Sequence, residues 1–404
     1  LDQHLQDVAA TTQLFAQADF QIAEKAVPAV NKLPPIADCA NTEALTAAQA
    51  AGDQVVAARS AAQLSWVTGY EQARPADGEK WARLAQSIAE GARGGPLLRS
   101  ELLVQLAATR ASERRFQEAL DLSLEALSLA EKASPGLPRI PSILNDAAQY
   151  FDQLGRENEA LSYALRSLQI REKTLPAGHP DFAATYNTLG NIYNSLHRNQ
   201  DAIAAFERMV DINRRQYGPK HWWVAGGLVG LATAHQYVGH LDVALRYDRE
   251  ALAIFEECFG PEHSYDAMTL VNMGEVLMLQ NQPAAALASY QRALAIQEKT
   301  LGAKNPALGN SLAGISRALP KLGRAREAIP AAERALALFE SQPGVPAQLS
   351  QTRFFLANAL WEGGGDRGRA IRLARQARES LAADQQVEIV KQIDDWLRQR
   401  GLSR

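Results

Sequence analysis

The 404-residue sequence is poor in cysteine, with Cys39 and Cys258 alone, and poor in methionine, with four. Two thiols so far apart in the chain cannot build a disulfide scaffold and say little about redox compartment. Long apolar runs are missing too: none approaches the roughly 18 residues that a membrane-spanning helix needs. Charge of one sign is absent, since 42 Lys and Arg face 45 Asp and Glu, leaving a net charge of −3 and a pI near 6.2. A chain without a basic field has nothing to draw in phosphate backbones, which argues against a nucleic-acid partner. No segment alternates with period two, so no sheet is expected. The sequence opens at Leu1 without a signal-type segment, and the expectation is a fragment of a longer protein that has lost a domain or an anchor.

The residue sets that carry chemistry are equally scarce. No glycine-rich phosphate loop and no HRD-like or DFG-like triplet occurs, so no catalytic role and no cofactor are expected of this chain. Gly363-Gly364-Gly365 follows a helical pattern instead of a strand and reads as a turn. His179, His221 and His263 invite a metal reading. Zinc ligands, however, must converge within about 2 Å of one ion, whereas equivalent positions on neighbouring helix pairs lie about 10 Å apart. Loop capping is the better reading for these histidines. His235 and His240 lie five apart at a helix end without a nearby cysteine, and no metal is expected there either.

What the sequence does have is a period. Gly178-His179-Pro180, Gly218-Pro219-Lys220-His221, Gly260-Pro261-Glu262-His263 and Ala303-Lys304-Asn305-Pro306 place positions 179, 221, 263 and 305 at a spacing of 42 residues. Ala160, Ala202, Ala244, Ala286, Ala328 and Ala370 keep the same register, as do the turn positions Gly155, His197, Gly239, Asn281, Gly323 and Gly365. A fixed period of this length means stacked units, each too small to bury its apolar face alone. Inside one unit, Ala183, Tyr186, Leu189, Gly190 and Tyr193, then Ala202, Ile203, Phe206, Met209 and Val210, follow a helical spacing twice, interrupted at His197-Arg198-Asn199. Each unit is therefore an antiparallel pair of helices, A then B. Gly190 and Ala202 let the two backbones approach, while Tyr193 and Phe206 fill the space that remains.

This large–small alternation resembles the tetratricopeptide repeat (TPR). The 42-residue period, in place of the usual repeat of about 34, with stretches such as Arg292-Ala293-Leu294-Ala295-Ile296-Gln297-Glu298-Lys299, resembles the kinesin light chain subtype. The expected fold is thus all-α: a TPR superhelix, or α-solenoid, of about eight helix pairs. The pairs fall at about 53–93, 96–131, 138–174, 180–216, 222–258, 264–300, 306–341 and 347–381. An N-terminal helical segment (1–52) precedes the array (53–381), with one or two helices over 1–33 before the Leu33-Pro34-Pro35 break. A capping helix within 382–404 follows it and covers the open core with a charged face.

Three segments resemble a narrower family. They are Leu33-Pro34-Pro35-Ile36-Ala37-Asp38-Cys39-Ala40 with Glu43-Ala44-Leu45; Gly95-Pro96-Leu97-Leu98 with Glu101-Leu102-Leu103; and Leu356-Ala357-Asn358-Ala359-Leu360-Trp361 with Gly365-Asp366-Arg367 and the closing Trp396-Leu397. Together they are similar to the C-terminal TPR region of myxobacterial-type bacterial serine/threonine protein kinases, where a kinase domain and a membrane segment come first. The resemblance implies a sensor or regulatory region on the extracytoplasmic side of a bacterial inner membrane, and an upstream cysteine as a partner for Cys39. A free-standing scaffold or peptide receptor, cytoplasmic and never joined to a kinase, is the alternative.

In stacked helix pairs the A helices line the concave wall. The positions three before, one after and four after the small helix A residue face inward. They give Asn145, Gln149 and Asp152; Asn187, Asn191 and Asn194; Val229, Thr233 and Gln236 with Tyr237 beside them; and Val271, Glu275 and Met278. Uncharged amides are poor core material, because burial without partners costs a few kcal/mol each. The residues expected to form a groove for a peptide or protein ligand are Asn145, Gln149, Asn187, Asn191, Asn194, Thr233, Gln236, Tyr237, Glu275 and Met278. Kinesin light chains resemble this in using groove asparagines for peptide cargo. A merely solvated polar wall is the plainer reading of the same residues. Of Trp222-Trp223, one ring is expected to pack into the stack and the other to face outward, adjacent helical residues pointing about 100° apart.

Overall fold

The computed structural model describes residues 36–68, 75–91, 95–341, 346–383 and 387–402. The helices expected over 1–33 and the Leu33-Pro34-Pro35 break lie outside these residues. Among the described residues there are 18 helices and no strand, so the chain is all-α. The chain divides into two compact units, residues 1–205 and 206–404.

The first unit contains α1 (Ile36–Ala51), α2 (Gln54–Trp66), α3 (Pro75–Gly91), α4 (Gly95–Ser112), α5 (Phe116–Ala133), α6 (Ile140–Gln153), α7 (Glu157–Thr174) and α8 (Asp181–Ser195); the division falls inside α9 (Asn199–Tyr217). Helices α2 and α3, α4 and α5, and α6 and α7 pack as the expected pairs. Helix α1 falls within the helical segment expected over 1–52, although the sequence pattern places no individual helix between the Leu33-Pro34-Pro35 break and residue 53. Its Leu45 and Ala48 are buried with Ala57, Ala61 and Leu64 of α2, and Asp53 caps α2 by accepting from the Val55 and Val56 N–H groups.

The second unit continues with α10 (Trp222–Val238), α11 (Leu241–Phe259), α12 (Ser264–Leu279), α13 (Pro283–Leu301), α14 (Leu308–Lys321), α15 (Ala325–Glu340), α16 (Pro346–Glu362), α17 (Arg367–Ala383) and α18 (Val387–Gln399). Again successive helices pair, and α18 closes the end: Ile393, Trp396 and Leu397 are buried against Leu356, Leu360, Ala374 and Leu381. The Trp396 indole N–H donates to Asn358 Oδ1 at 2.9 Å.

The small-residue register is physical. Ala160, Ala202, Ala244, Ala286, Ala328 and Ala370 are all fully buried. At the A–B turns, Gly155, His197, Gly239, Asn281 and Gly323 all take positive φ, the left-handed residue that ends helix A. In the last pair that role belongs to Gly364 (φ 74), one residue before the expected Gly365, because this loop carries an additional residue before Ala370.

In the second unit the close approach rests on glycine both at the expected small position, Gly274, two periods after Gly190, and at Gly230 and Gly314, which lie outside that register. A Cβ on Gly274 or on Gly314 would come within 2.5 Å of the Tyr290 ring, and one on Gly230 within 2.4 Å of Phe206. Phe206 and Tyr290 are large fully buried side chains, each packed close against helix A glycine. Midway between them in the register sits Asp248, which is 1% exposed.

Candidate peptide-binding face

The loop histidines set the helix starts. His179 Nδ1 accepts from the Asp181 N–H at 3.2 Å, His221 Nδ1 from Trp223 at 3.1 Å, His263 Nδ1 from Tyr265 at 3.3 Å, and Asn305 Oδ1 from Ala307 at 2.9 Å. At α12 the cap is doubled, since Asp266 Oδ2 accepts from the His263 N–H at 2.9 Å. Burial holds the His263 imidazole below its ordinary pKa, which keeps the accepting lone pair free. Rings stack beside these caps: Tyr217 lies 4.6 Å from His221, and Phe259 4.5 Å from His263. Trp222 and Trp223 do not divide into one inner and one outer ring. They stack on each other at 4.0 Å, both half-buried, and Trp222 also faces Tyr265 at 6.4 Å.

In the first unit the A helices α6 and α8 present the amides. Gln149 and Asn191 are exposed, and Asn187 and Asn194 are half-buried. Gln149 donates to Thr188 Oγ1 at 3.2 Å. Asn145 departs from expectation: it is 4% exposed and donates to Thr185 Oγ1 at 3.0 Å, held beneath the face where α8 covers α6. The carbonyl oxygens of Asn145 and Asn194 and one carboxylate oxygen of Asp152 are buried without a partner. Burial raises the Asp152 pKa against the opposing hydrogen bond from Ser195, and Asp146 is pushed up to about 7 by desolvation.

In the second unit Tyr237 is 56% exposed, and Gln236 and Thr233 are half-buried. The Thr233 hydroxyl is committed to its own helix, donating to the Val229 carbonyl at 3.1 Å. Met278 is not on the face: it is 6% exposed and belongs to the core with Leu270, Leu277 and Tyr290. Its neighbour Leu279, which sequence reasoning missed, is 57% exposed and lies in the register of Tyr237. Glu275 accepts from the Tyr290 hydroxyl at 2.6 Å and from Arg317 Nη2 at 2.5 Å. Arg317 also donates to the Tyr290 hydroxyl at 3.0 Å. Arg317 was overlooked although it stands one period after Glu275, in the same column.

His235 and His240 face each other, with Nδ1 atoms 3.3 Å apart. Among the described residues no group of three or more His, Cys, Asp or Glu could hold a metal ion. No described helix is long and apolar enough to cross a membrane.

No curated protein matches the chain. Among solved structures, the apo form of RapI shares the fold over 90% of this chain and 96% of its own, at 14% identity and a TM-score of 0.57. A Rap protein complexed with competence and sporulation factor covers 81% of this chain and 94% of its own, at 15% identity and a TM-score of 0.56. A Podosopora anserina putative kinesin light chain with nearly identical TPR-like repeats is 24% identical over 51% of this chain and 99% of its own, with a TM-score of 0.44. The tetratricopeptide repeat model matches residues 98–173, 181–257 and 265–341, blocks that each take in two of the helix pairs described above. With more than half of its length accounted for in this way, the chain belongs to the tetratricopeptide repeat family.

Proposed function

We propose that this chain is a non-catalytic module that binds a peptide or protein along the A-helix faces, with Gln149, Asn187, Asn191 and Asn194 in the first unit and Thr233, Gln236 and Tyr237 in the second as contact residues. A tetratricopeptide array is a protein-binding scaffold, and the observation that carries the reading to these residues is the amide wall of α6 and α8. An amide offers both a donor and an acceptor, as an extended peptide backbone requires. Buried acceptors left unpaired within the same wall are costly until something supplies a donor. The Rap protein solved with competence and sporulation factor supports the idea that this fold can hold a partner.

The test is a peptide-display selection on the intact chain, followed by affinity and melting measurements. Replacing Asn187, Asn191 and Asn194 together by Ala is expected to weaken binding by about 1 kcal/mol per hydrogen bond lost, with little change in stability. Normal binding by that variant would reduce the wall to a wetted surface.

We further propose that the module is the regulatory or sensor region of a bacterial serine/threonine protein kinase. The support is the family resemblance of the segments around Leu33–Leu45, Gly95–Leu103 and Leu356–Leu397. The reading frame upstream of Leu1 decides it: a kinase domain followed by an apolar span is expected, and its absence leaves a free-standing peptide receptor.

A further inference from the structure

We propose that the A-helix face of the first unit takes a basic group of its peptide ligand, a lysine or arginine side chain, on the carboxylate of Asp152. The inference rests on the peptide-binding reading above and names the chemistry that this part of the face selects.

The argument begins with a missing charge. Helices α6 (IPSILNDAAQYFDQ) and α8 (DFAATYNTLGNIYNS) contain three aspartates and no lysine or arginine. The basic residues that flank these helices are already engaged: Arg139 with Glu101 at 3.4 Å, Arg156 with Glu159 at 2.6 Å and Arg198 with Asp201 at 2.8 Å. Asp152 is half-buried and forms no ion pair with a described residue. The one charged residue shown to influence it is Glu157, which repels. One of its oxygens is buried without a partner, and so are the carbonyl oxygens of Asn194, one repeat on in the same column, and of Asn145, two turns earlier on the same helix. All three lone atoms are acceptors, and beyond the Ser195 hydroxyl that serves Asp152 these two helices bring the carboxylate no positive charge.

In the second unit a carboxylate one turn away from the column of Asp152, in the column of Gln149, finds its cation inside the fold. There the acidic residue of the face, Glu275, receives Arg317 at 2.5 Å and the Tyr290 hydroxyl at 2.6 Å. An arginine supplied by the next A helix satisfies the carboxylate from within the fold. The first unit has a carboxylate on its A-helix face and no arginine to meet it, so the cation has to arrive with the ligand. A lysine ammonium or arginine guanidinium brings several N–H donors together with its charge, which fits the half-buried carboxylate of Asp152. An acidic side chain at the same point would meet the like charge of Asp152 with no cation from these helices to offset it.

The experiment uses the intact 404-residue chain and three pools of random nine-residue peptides that differ only in the central residue: lysine, norleucine or glutamate. The lysine pool is expected to bind at least about tenfold more tightly than the norleucine pool, and to lose that margin in raised salt. Asp152→Asn, which keeps size and hydrogen bonding, is expected to abolish the preference for lysine while leaving norleucine-pool binding and the melting temperature in place. Equal binding of all three pools, a preference for glutamate, or a lysine preference that survives Asp152→Asn overturns the inference and leaves peptide binding standing. Binding by none of the pools overturns the peptide-binding reading and this inference with it.

Discussion

Arg317 Nη2 lies 2.5 Å from Glu275 Oε2, although the two residues sit on different A helices one full repeat apart. The pair joins α12 to α14 across the face, with the Tyr290 hydroxyl as its third member. Both side chains keep about a third of their surface in water, so the interaction is weaker than a fully buried pair. Arg317→Ala is expected to lower stability by about 1–2 kcal/mol, and a double-mutant cycle with Glu275→Gln should return a favourable coupling. Zero coupling would show that the pair is only a surface contact.

Asp248 gives a prediction of opposite sign. It takes the register position held by Phe206 and Tyr290 in the neighbouring repeats, yet it is 1% exposed and one of its oxygens has no partner. Desolvation raises its pKa to about 8. The folded state therefore holds a proton that the unfolded chain releases near pH 4, and stability from this group falls as pH rises from about 4 to about 8. Asp248→Leu is expected to stabilise the protein at pH 8 by at least about 1 kcal/mol and to do much less at pH 5. Denaturant melts at the two pH values measure the difference, and an equal effect at both would refute the buried-carboxylate account.

His263 titrates the other way. Its pKa is depressed by burial, because the neutral imidazole must accept from the Tyr265 N–H. Its contribution is complete above the ordinary histidine pKa near 6.5 and is lost as pH falls through the lower folded value. His263→Ala is expected to cost about 1 kcal/mol at neutral pH. His263→Asn, copying Asn305 one repeat on, should keep the cap and remove this part of the acid sensitivity. Thermal melts between pH 5 and 7.5 compare the three proteins.

The ring of Tyr290 is held between two glycines. Gly314→Ala would drive a methyl to 2.5 Å from the ring, and Gly274→Ala would do the same from the other side. Each is expected to destabilise by about 1–3 kcal/mol through overpacking. Gly226→Ala, which meets nothing within 4 Å, serves as the control that should leave the melting temperature unchanged or raise it.

The register was readable because it is made of residue types with strict local meaning. Buried alanines, left-handed turn residues and capping histidines each recur 42 residues apart and are found in the expected role, except that Gly364 replaces Gly365 at the last turn. Helix α1 carries no such mark: its sequence IADCANTEALTAAQAA is mostly small residues and has no counterpart in the period. On the face, counting from the small helix A residue gives direction but not depth. Asn145 and Met278 fall on the face by this count and are covered, the first by Thr185 and the second by the surrounding core. Partners are also invisible one residue at a time, which is why Glu275 looked free until Arg317 was seen beside it.

The substitution of a carboxylate for an aromatic at position 248 bears on how the second unit comes apart. Where Tyr290 spans Gly274 and Gly314, one ring ties α12 and α14 to a shared core, so those helices open together. At Asp248 the corresponding register positions are Ala232 and Asn272, and no ring bridges them. A linear array of repeats separates first at its weakest nearest-neighbour contact. Ala232, Ala244, Leu245 and Leu252 still tie α10 and α11 to that core, so the acid at 248 thins this junction without cutting it, and the amides of α10 and α11 are expected to exchange with solvent ahead of those of α12–α15.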